Sequence, residues 1–388
     1  MNGGSRRERR FYNHFVPASI RRQIGQLLIG CLPGTTIPRE MRSLARDFGL
    51  GGVILFARNI EGPEQVADLA REIQALATDL PLWVSVDQEG GRVARLRAPF
   101  TEWPPMATLG RSGDAALAGR FAAALAAEMR AVGVTLDYAP VLDIHTNPKN
   151  PVIGDRALAE DAGMVARLGV AIIEGLQRNG VAACGKHFPG HGDTAVDSHH
   201  ALPVVEHSPD RIRRVECVPF RAAIEANVAF MMTAHVLVPA FDEEKPATLS
   251  RRIVYDLLRD ELDFTGVILS DDLEMKALAA TYSVAEAAIG SIQAGCDGVL
   301  ICRALSEDRG RDIDVQATAL EALVHAVEDE QIPYKRLEDA LARQRRAKER
   351  FLATQMAAPV AAIGRTALRQ VIGCDEHRRV AEEMARYL

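Results

Sequence analysis

Gly266-Val267-Ile268-Leu269-Ser270 is a short, nearly continuous apolar run, followed directly by Asp271-Asp272-Leu273. A run of this length without polar alternation fits a strand buried on both faces, as a parallel sheet requires. The chain carries seven others of similar length: Gly25–Cys31, Gly52–Phe56, Leu82–Val86, Val134–Tyr138, Val181–Gly185, Ala229–Thr233 and Gly298–Cys302. Amphipathic stretches separate them. Pro63–Ala77 places Val66, Leu69, Ile73 and Leu76 three and four residues apart, and Ala115–Val132, Asp161–Arg178, Asp210–Asn227, Arg251–Leu262 and Val284–Ala294 follow similar patterns. Ser208 and Ser250 precede two of these and predict helix caps. Eight βα units in succession predict an α/β fold, a single (β/α)8 barrel of the TIM type. The alternative, a doubly wound sheet, lacks a GxGxxG signature after its first run.

Composition narrows the function classes. The 388 residues are 48% apolar and 25% charged, the balance of a globular chain, and the net charge of -6 argues against a nucleic-acid partner. No run approaches the roughly 18 apolar residues of a membrane span. The N-terminus lacks an apolar leader core after its basic residues. Six scattered cysteines without a CxxC pair, four of them in or beside apolar runs, read as structural thiols in a reducing compartment. The expected location is cytoplasmic, with no membrane partner.

In a barrel of this kind the chemistry sits in the loops after the strands. There the sequence places Asp87-Gln88-Glu89-Gly90-Gly91-Arg92, Ala139–Asp143, Lys186–Gly192, Ala234-His235 and Asp271-Asp272. Carboxylates, cations and histidines gathered on one face mark an enzyme. The densest segment is KHFPGHGDTAVDSHH, residues 186–200, where proline and glycines exclude a regular helix. Its histidines and aspartates are also zinc or iron ligand types, but the spacing is not that of an HExxH helix and Lys186 opposes a dication. An aspartate closing a buried strand, such as Asp271, is held rigidly toward the barrel mouth. The other reading of such a residue is an N-cap of the next helix. Asp87 and Arg95 share one loop, and Arg156 follows two Asn-Pro-type turns at Asn147-Pro148 and Asn150-Pro151.

The segments DQEGGRVAR (87–95), NPKNPVIGDRA (147–157), KHFPGHGDTAVDSH (186–199) and ILSDDLEM (268–275) resemble glycoside hydrolase family 3, and within it the β-N-acetylglucosaminidases. KHFPGHG followed by DSH is specific to that branch, whereas SDD alone is not. The resemblance implies a retaining, two-step hydrolysis of terminal β-linked N-acetylglucosamine, without cofactor or metal. It implies Asp271 as nucleophile in preference to Asp272, His199 as acid/base oriented by Asp197, and sugar contacts from Asp87, Arg95, Arg156, Lys186 and His187. His191 is read as structural. The implied substrate is a small carbohydrate, an N-acetylglucosaminyl-anhydromuramyl peptide or a relative of one, met during cell-wall recycling, and the enzyme is expected as a monomer or homodimer. The catalytic barrel is expected over 22–355, with an N-terminal extension over 1–21. A C-terminal extension over 356–388 resembles a truncated linker to a second domain, as a helix packed on the barrel or a dimer contact. Rival functions are a phosphorylase on the same site, a broader family 3 β-glycosidase, a non-catalytic sugar-binding protein and a metal-dependent hydrolase.

Overall fold

The computed structural model describes residues 18–195, 197–198, 201–302, 312–353 and 364–388. Ten strands occur among them: β1 (Leu28–Cys31), β2 (Gly52–Leu55), β3 (Trp83–Val86), β4 (Gln88–Gly90), β5 (Val93–Ala94), β6 (Leu136–Asp137), β7 (Ala182–Phe188), β8 (Phe230–Thr233), β9 (Val267–Asp272) and β10 (Gly298–Leu300). Eight of these close a barrel in the order β1-β10-β9-β8-β7-β6-β3-β2, and every pairing is parallel. The remaining two, β4 and β5, form a small antiparallel hairpin above β3. Each predicted apolar run supplies one barrel strand.

The reason those runs are apolar throughout is visible in the packing. Successive side chains alternate across a strand, and both sides of this sheet are buried. Ile29, Cys31, Ile54, Trp83, Leu136, Phe230, Val267 and Leu269 fill the barrel interior. Leu28, Val53, Val84, Ala183, Met231 and Ile268 face the surrounding helices. Trp83 meets Phe230 edge-on, with ring centroids 5.1 Å apart, near the N-terminal end of the barrel.

The helices fall close to the expected segments. Ala115–Ala131 and Ala162–Arg178 are capped by Asp114 and Asp161, whose side chains accept N–H bonds from the first turn. Ser208 caps its helix by accepting from Arg211 N. Ser250 does not: its hydroxyl donates to Asp242 at 2.7 Å, so a nearer carboxylate takes the group that the sequence assigns to a cap. No helix among the described residues is long and apolar enough to cross a membrane.

Helix Asp375–Ala385 packs on helix Ala115–Ala131. Glu128 is the hub of that contact. Its carboxylate accepts from Thr101 N and Oγ1, Gly373 N and His377 Nδ1, at 2.6–2.9 Å. Gly373 has φ +58°, and a Cβ there would lie 2.2 Å from the Pro99 carbonyl oxygen, so the turn requires glycine.

Helix Tyr334–Phe351 closes the N-terminal end of the barrel. Gln344 donates to the Asp297 carbonyl and accepts from Trp83 Nε1. Lys348 is fully buried, its ammonium donating to Gln26 Oε1 at 2.7 Å. Burial pulls Lys348 down to about 7. The unfolded chain holds that proton up to the ordinary lysine range, so the folded state loses stability as pH falls from about 10.5 to 7 and no further below. We expect Lys348→Met to raise stability by about 1–3 kcal/mol at pH 7, the relief of the buried charge exceeding the loss of a partner for Gln26. Thermal melts across pH 6–10 check it: the gain should shrink as pH rises.

Candidate active site

The C-terminal ends of the barrel strands converge on one pocket, and the residues just past each strand line it. Asp87 follows β3, and the β4–β5 hairpin then folds back. Gln88 sets the return: its side chain donates to the Leu96 carbonyl and accepts from Arg95 N and Leu96 N, while its own N–H donates to Asp137 Oδ1. The bend needs Gly91, at φ +56°, because a Cβ there would lie 2.9 Å from Pro105 Cα. Arg95 is thereby placed so that its Nη2 lies 3.2 Å from Asp87 Oδ2.

Lys186 belongs to β7 and Arg156 to the loop after β6. Lys186 Nζ bridges Asp87 Oδ1 at 2.9 Å and Glu89 Oε1 at 2.6 Å. Arg156 grips both oxygens of Glu89, at 2.9 and 2.8 Å. Burial alone would raise the Asp87 carboxyl, but Lys186 and Arg95 outweigh it and hold the group well below the usual carboxylate range. Against the same burial, Arg156 and Lys186 bring Glu89 down to about 2. Burial would lower Lys186 and Arg156, and the facing carboxylates keep both above their ordinary values. Asp87, Glu89, Lys186 and Arg156 are therefore charged near neutrality, two cations against two carboxylates, fixed before any ligand arrives.

His187 stands beside this network. Its Nδ1 is 2.6 Å from Asp143 Oδ2, and Asp143 also accepts from the backbone N–H of His187 and of His191. Burial acts to raise Asp143, but His187 and His191 hold it below its ordinary value. A carboxylate on Nδ1 fixes the imidazole and leaves Nε2, which has no partner among the described residues, for a ligand. His191 is tied within its loop, with Nδ1 2.6 Å from Thr194 Oγ1 and Nε2 3.1 Å from Ser198 Oγ. Burial brings it down to about 4, so it is neutral.

Asp271 and Asp272 close β9, and both line the pocket. They differ in what holds them. Asp272 Oδ1 accepts from Cys302 N and Glu274 N, which commits that oxygen to the backbone. Asp271 continues the inward series of Val267 and Leu269 and is the more exposed of the two. The same lining includes the apolar side chains of Ile54, Phe56, Met232, Met275 and Leu300, and Phe56 lies against the Arg95 guanidinium, 5.8 Å from its ring centroid. Such a pocket suits a ring with hydroxyls on one edge and an apolar face or substituent on the other.

The structure thus gathers Asp87, Arg95, Arg156, Lys186, His187 and Asp271 around one cavity. Asp197 is half-buried and is not part of the lining; its neighbour Ser198 is. His199 lies outside the described residues. Glu89 and Asp143 are given no role by the motifs. Two-residue alternation from Asp87 was a usable signal for Glu89, but the pairing of Asp143 with His187 is a long-range contact with no local trace. Among the described residues no group of three histidines, cysteines or carboxylates is arranged to hold a metal ion.

Residues 19–347 match the glycosyl hydrolase family 3 N terminal domain. The chain belongs to glycoside hydrolase family 3. A family 3 β-N-acetylglucosaminidase structure from Paenibacillus sp. str. FPU-7 superposes with a TM-score of 0.87 at 40% identity, over 95% of this chain and 68% of that one. NagZ from Neisseria gonorrhoeae, in complex with N-trifluoroacetyl-D-glucosamine, gives 0.74 at 32% identity, over 93% and 97%. The β-hexosaminidase of Thiobacillus denitrificans is 42% identical over 285 residues, covering 72% of this chain and 78% of that protein. β-Hexosaminidase A of Pseudoalteromonas piscicida is 35% identical over 373 residues, 90% of this chain, which spans 60% of that longer protein. This family 3 chain is a glycoside hydrolase similar to the β-hexosaminidases.

In this family 3 pocket Glu89 is the buried counter-charge that aims Arg156 and Lys186. Glu89→Gln keeps the shape and removes the charge. We expect KM for a glycoside to rise about 10–100-fold with a smaller change in kcat, because hydrogen bonds to charged groups are worth about 1.5–3 kcal/mol. Steady-state kinetics on an aryl glycoside checks the split.

Proposed function

We propose that this family 3 hydrolase removes terminal β-linked N-acetylglucosamine with retention of configuration, through a covalent intermediate on Asp271. The observation that carries the reading is the placement of Asp271 at the end of β9, in the same pocket as the charged group of Asp87, Arg95, Arg156, Lys186 and His187. The apolar lining residues offer a seat for an acetamido methyl, and the charged ones offer partners for ring hydroxyls. In the first step the Asp271 carboxylate attacks the anomeric carbon as the glycosidic C–O bond breaks, and the imidazolium of His199 gives its proton to the leaving oxygen. In the second, water attacks the anomeric carbon, His199 takes its proton and the Asp271 carboxylate departs. Asp197 orients the ring of His199 and stabilises its charged form. Histidine suits this work, since its ordinary pKa of about 6.5 allows both roles near neutrality. The names of the β-hexosaminidase relatives support the choice of sugar.

The substrates we assign are N-acetylglucosaminyl-anhydromuramyl peptides and related cell-wall fragments, handled in the cytoplasm by a monomer or homodimer. The test is a comparison of rates on aryl N-acetylglucosaminide, aryl glucoside and aryl N-acetylgalactosaminide. The reading expects the first to dominate, by at least about 10²-fold over the glucoside, since the missing acetamido group leaves its seat empty. Equal rates would assign a broader glycosidase instead. Free sugar should be the product in phosphate buffer; a sugar 1-phosphate would assign a phosphorylase.

A further inference from the structure

At the end of the barrel opposite the pocket, three arginines share one carboxylate. Asp297, fully buried before β10, receives Arg259 at 2.5 Å, Arg336 at 2.8 Å and Arg343 at 3.3 Å. Burial, together with the neighbouring Arg343 and Arg336, draws Arg259 down to about 10 in spite of Asp297. The cluster therefore carries positive charge that its own carboxylate does not balance.

A groove opens beside it, between helix Tyr334–Phe351 and the N-terminal ends of β8 and β9. Arg343, Arg346 and Arg350 line one side, and Asn227, Thr265 and Gly266 line the other. No carboxylate lines it among the described residues. Arg346 has no partner among them, and Arg350 donates to the Asn227 carbonyl at 3.0 Å and lies over the Phe351 ring, with no carboxylate partner among the described residues. The backbone N–H groups of Thr265 and Gly266 and the Thr265 hydroxyl are likewise without partners among the described residues. The sequence that follows the helix, residues 354–363, contains no aspartate or glutamate to supply the missing charge. Two successive N–H donors, a hydroxyl and three guanidinium groups around a groove without a carboxylate are the components of an oxyanion site.

We propose that this groove binds a small polyvalent oxyanion, of the phosphate or phosphate-monoester class, at the end of the barrel remote from the sugar pocket. Arg346 and Arg350 provide the charge, and Thr265 and Gly266 orient the oxygens. The site is independent of the glycosidase assignment.

The test is the thermal stability of the whole chain, titrated with inorganic phosphate, with sulfate or with a simple phosphate monoester, against chloride at equal ionic strength. Phosphate should raise Tm by about 2–4 °C beyond chloride and saturate, since a ligand bound only by the native state stabilises by mass action. Arg346→Gln with Arg350→Gln, both exposed and outside the sugar pocket, should abolish the saturable shift while leaving glycoside hydrolysis unchanged. This also separates the groove from phosphate entering the sugar pocket, which those changes would not touch. If the double variant does not fold, Thr265→Asp provides a second arm: its carboxylate should occupy the groove and remove the phosphate response. A monoester that shifts Tm more than phosphate would assign the organic ligand, and the reverse would assign the free ion. An identical shift in wild type and variants, or no saturable shift in wild type, would overturn the proposal.

Discussion

Asp271→Ala should lose about 10⁴–10⁶-fold in turnover while keeping the fold, the scale expected when a nucleophile is removed from a constellation that acts as a unit. Asp271 is half-buried at a strand end, where its Oδ1 accepts from Asp272 N at 2.8 Å, whereas Val267 and Leu269 beneath it are fully buried. Circular dichroism and melting temperature should match wild type. Asp272→Ala makes the informative contrast. It removes an acceptor from Cys302 N and Glu274 N, so its loss of activity should come with a lower Tm. If Asp271→Ala keeps even a hundredth of wild-type turnover, the nucleophile lies elsewhere.

The second large effect is expected at His199. General acid/base help is worth about 10²–10⁴-fold, and how much of it a substrate needs depends on its leaving group. His199→Ala should cripple cleavage of a disaccharide, whose leaving oxygen needs a proton. It should barely slow glycosyl transfer from a dinitrophenyl glycoside, whose leaving group departs as an anion. The second step then lacks its base, so the intermediate accumulates, with a burst of phenolate and a low apparent KM. Azide needs no base and should restore turnover, giving a β-glycosyl azide. Asp197→Ala should fall between wild type and His199→Ala, because an orienting carboxylate tunes the proton transfer without performing it. Equal losses on good and poor leaving groups, without azide rescue, would assign His199 another role.

What could be read from the residues follows from what the barrel demands of them. Strands buried on both faces must be apolar, so all eight announce themselves, and the residues that follow each run must then face the mouth. That logic finds Asp87, Lys186, His187 and Asp271 directly. Strand ends were less legible: β7 continues through Lys186 and His187 to Phe188, and β9 through both aspartates, because polar residues in a strand end the apolar pattern before they end the ladder. Ser250 misleads for a similar reason, since its true partner Asp242 is placed by a loop rather than by helix periodicity.

The partners that tune the site were the least visible. Glu89 and Asp143 act through contacts made only once β3, β6 and β7 lie side by side. The segment Arg343–Arg350 is basic, yet it contains Gln344 and Lys348, both buried against the foot of the barrel. A lysine on the inner face of a helix contradicts the amphipathic pattern, and only the acceptor Gln26, 322 residues away, makes the placement tolerable.

Covalent trapping tests the central claim most directly. Wild-type enzyme incubated with a fluorinated N-acetylglucosaminyl fluoride should be inactivated in a time-dependent manner and gain the mass of one sugar. Digestion and fragmentation should place that sugar as an ester on Asp271. A label on Asp272 or Glu89, or an active enzyme that never forms an adduct, would contradict the account.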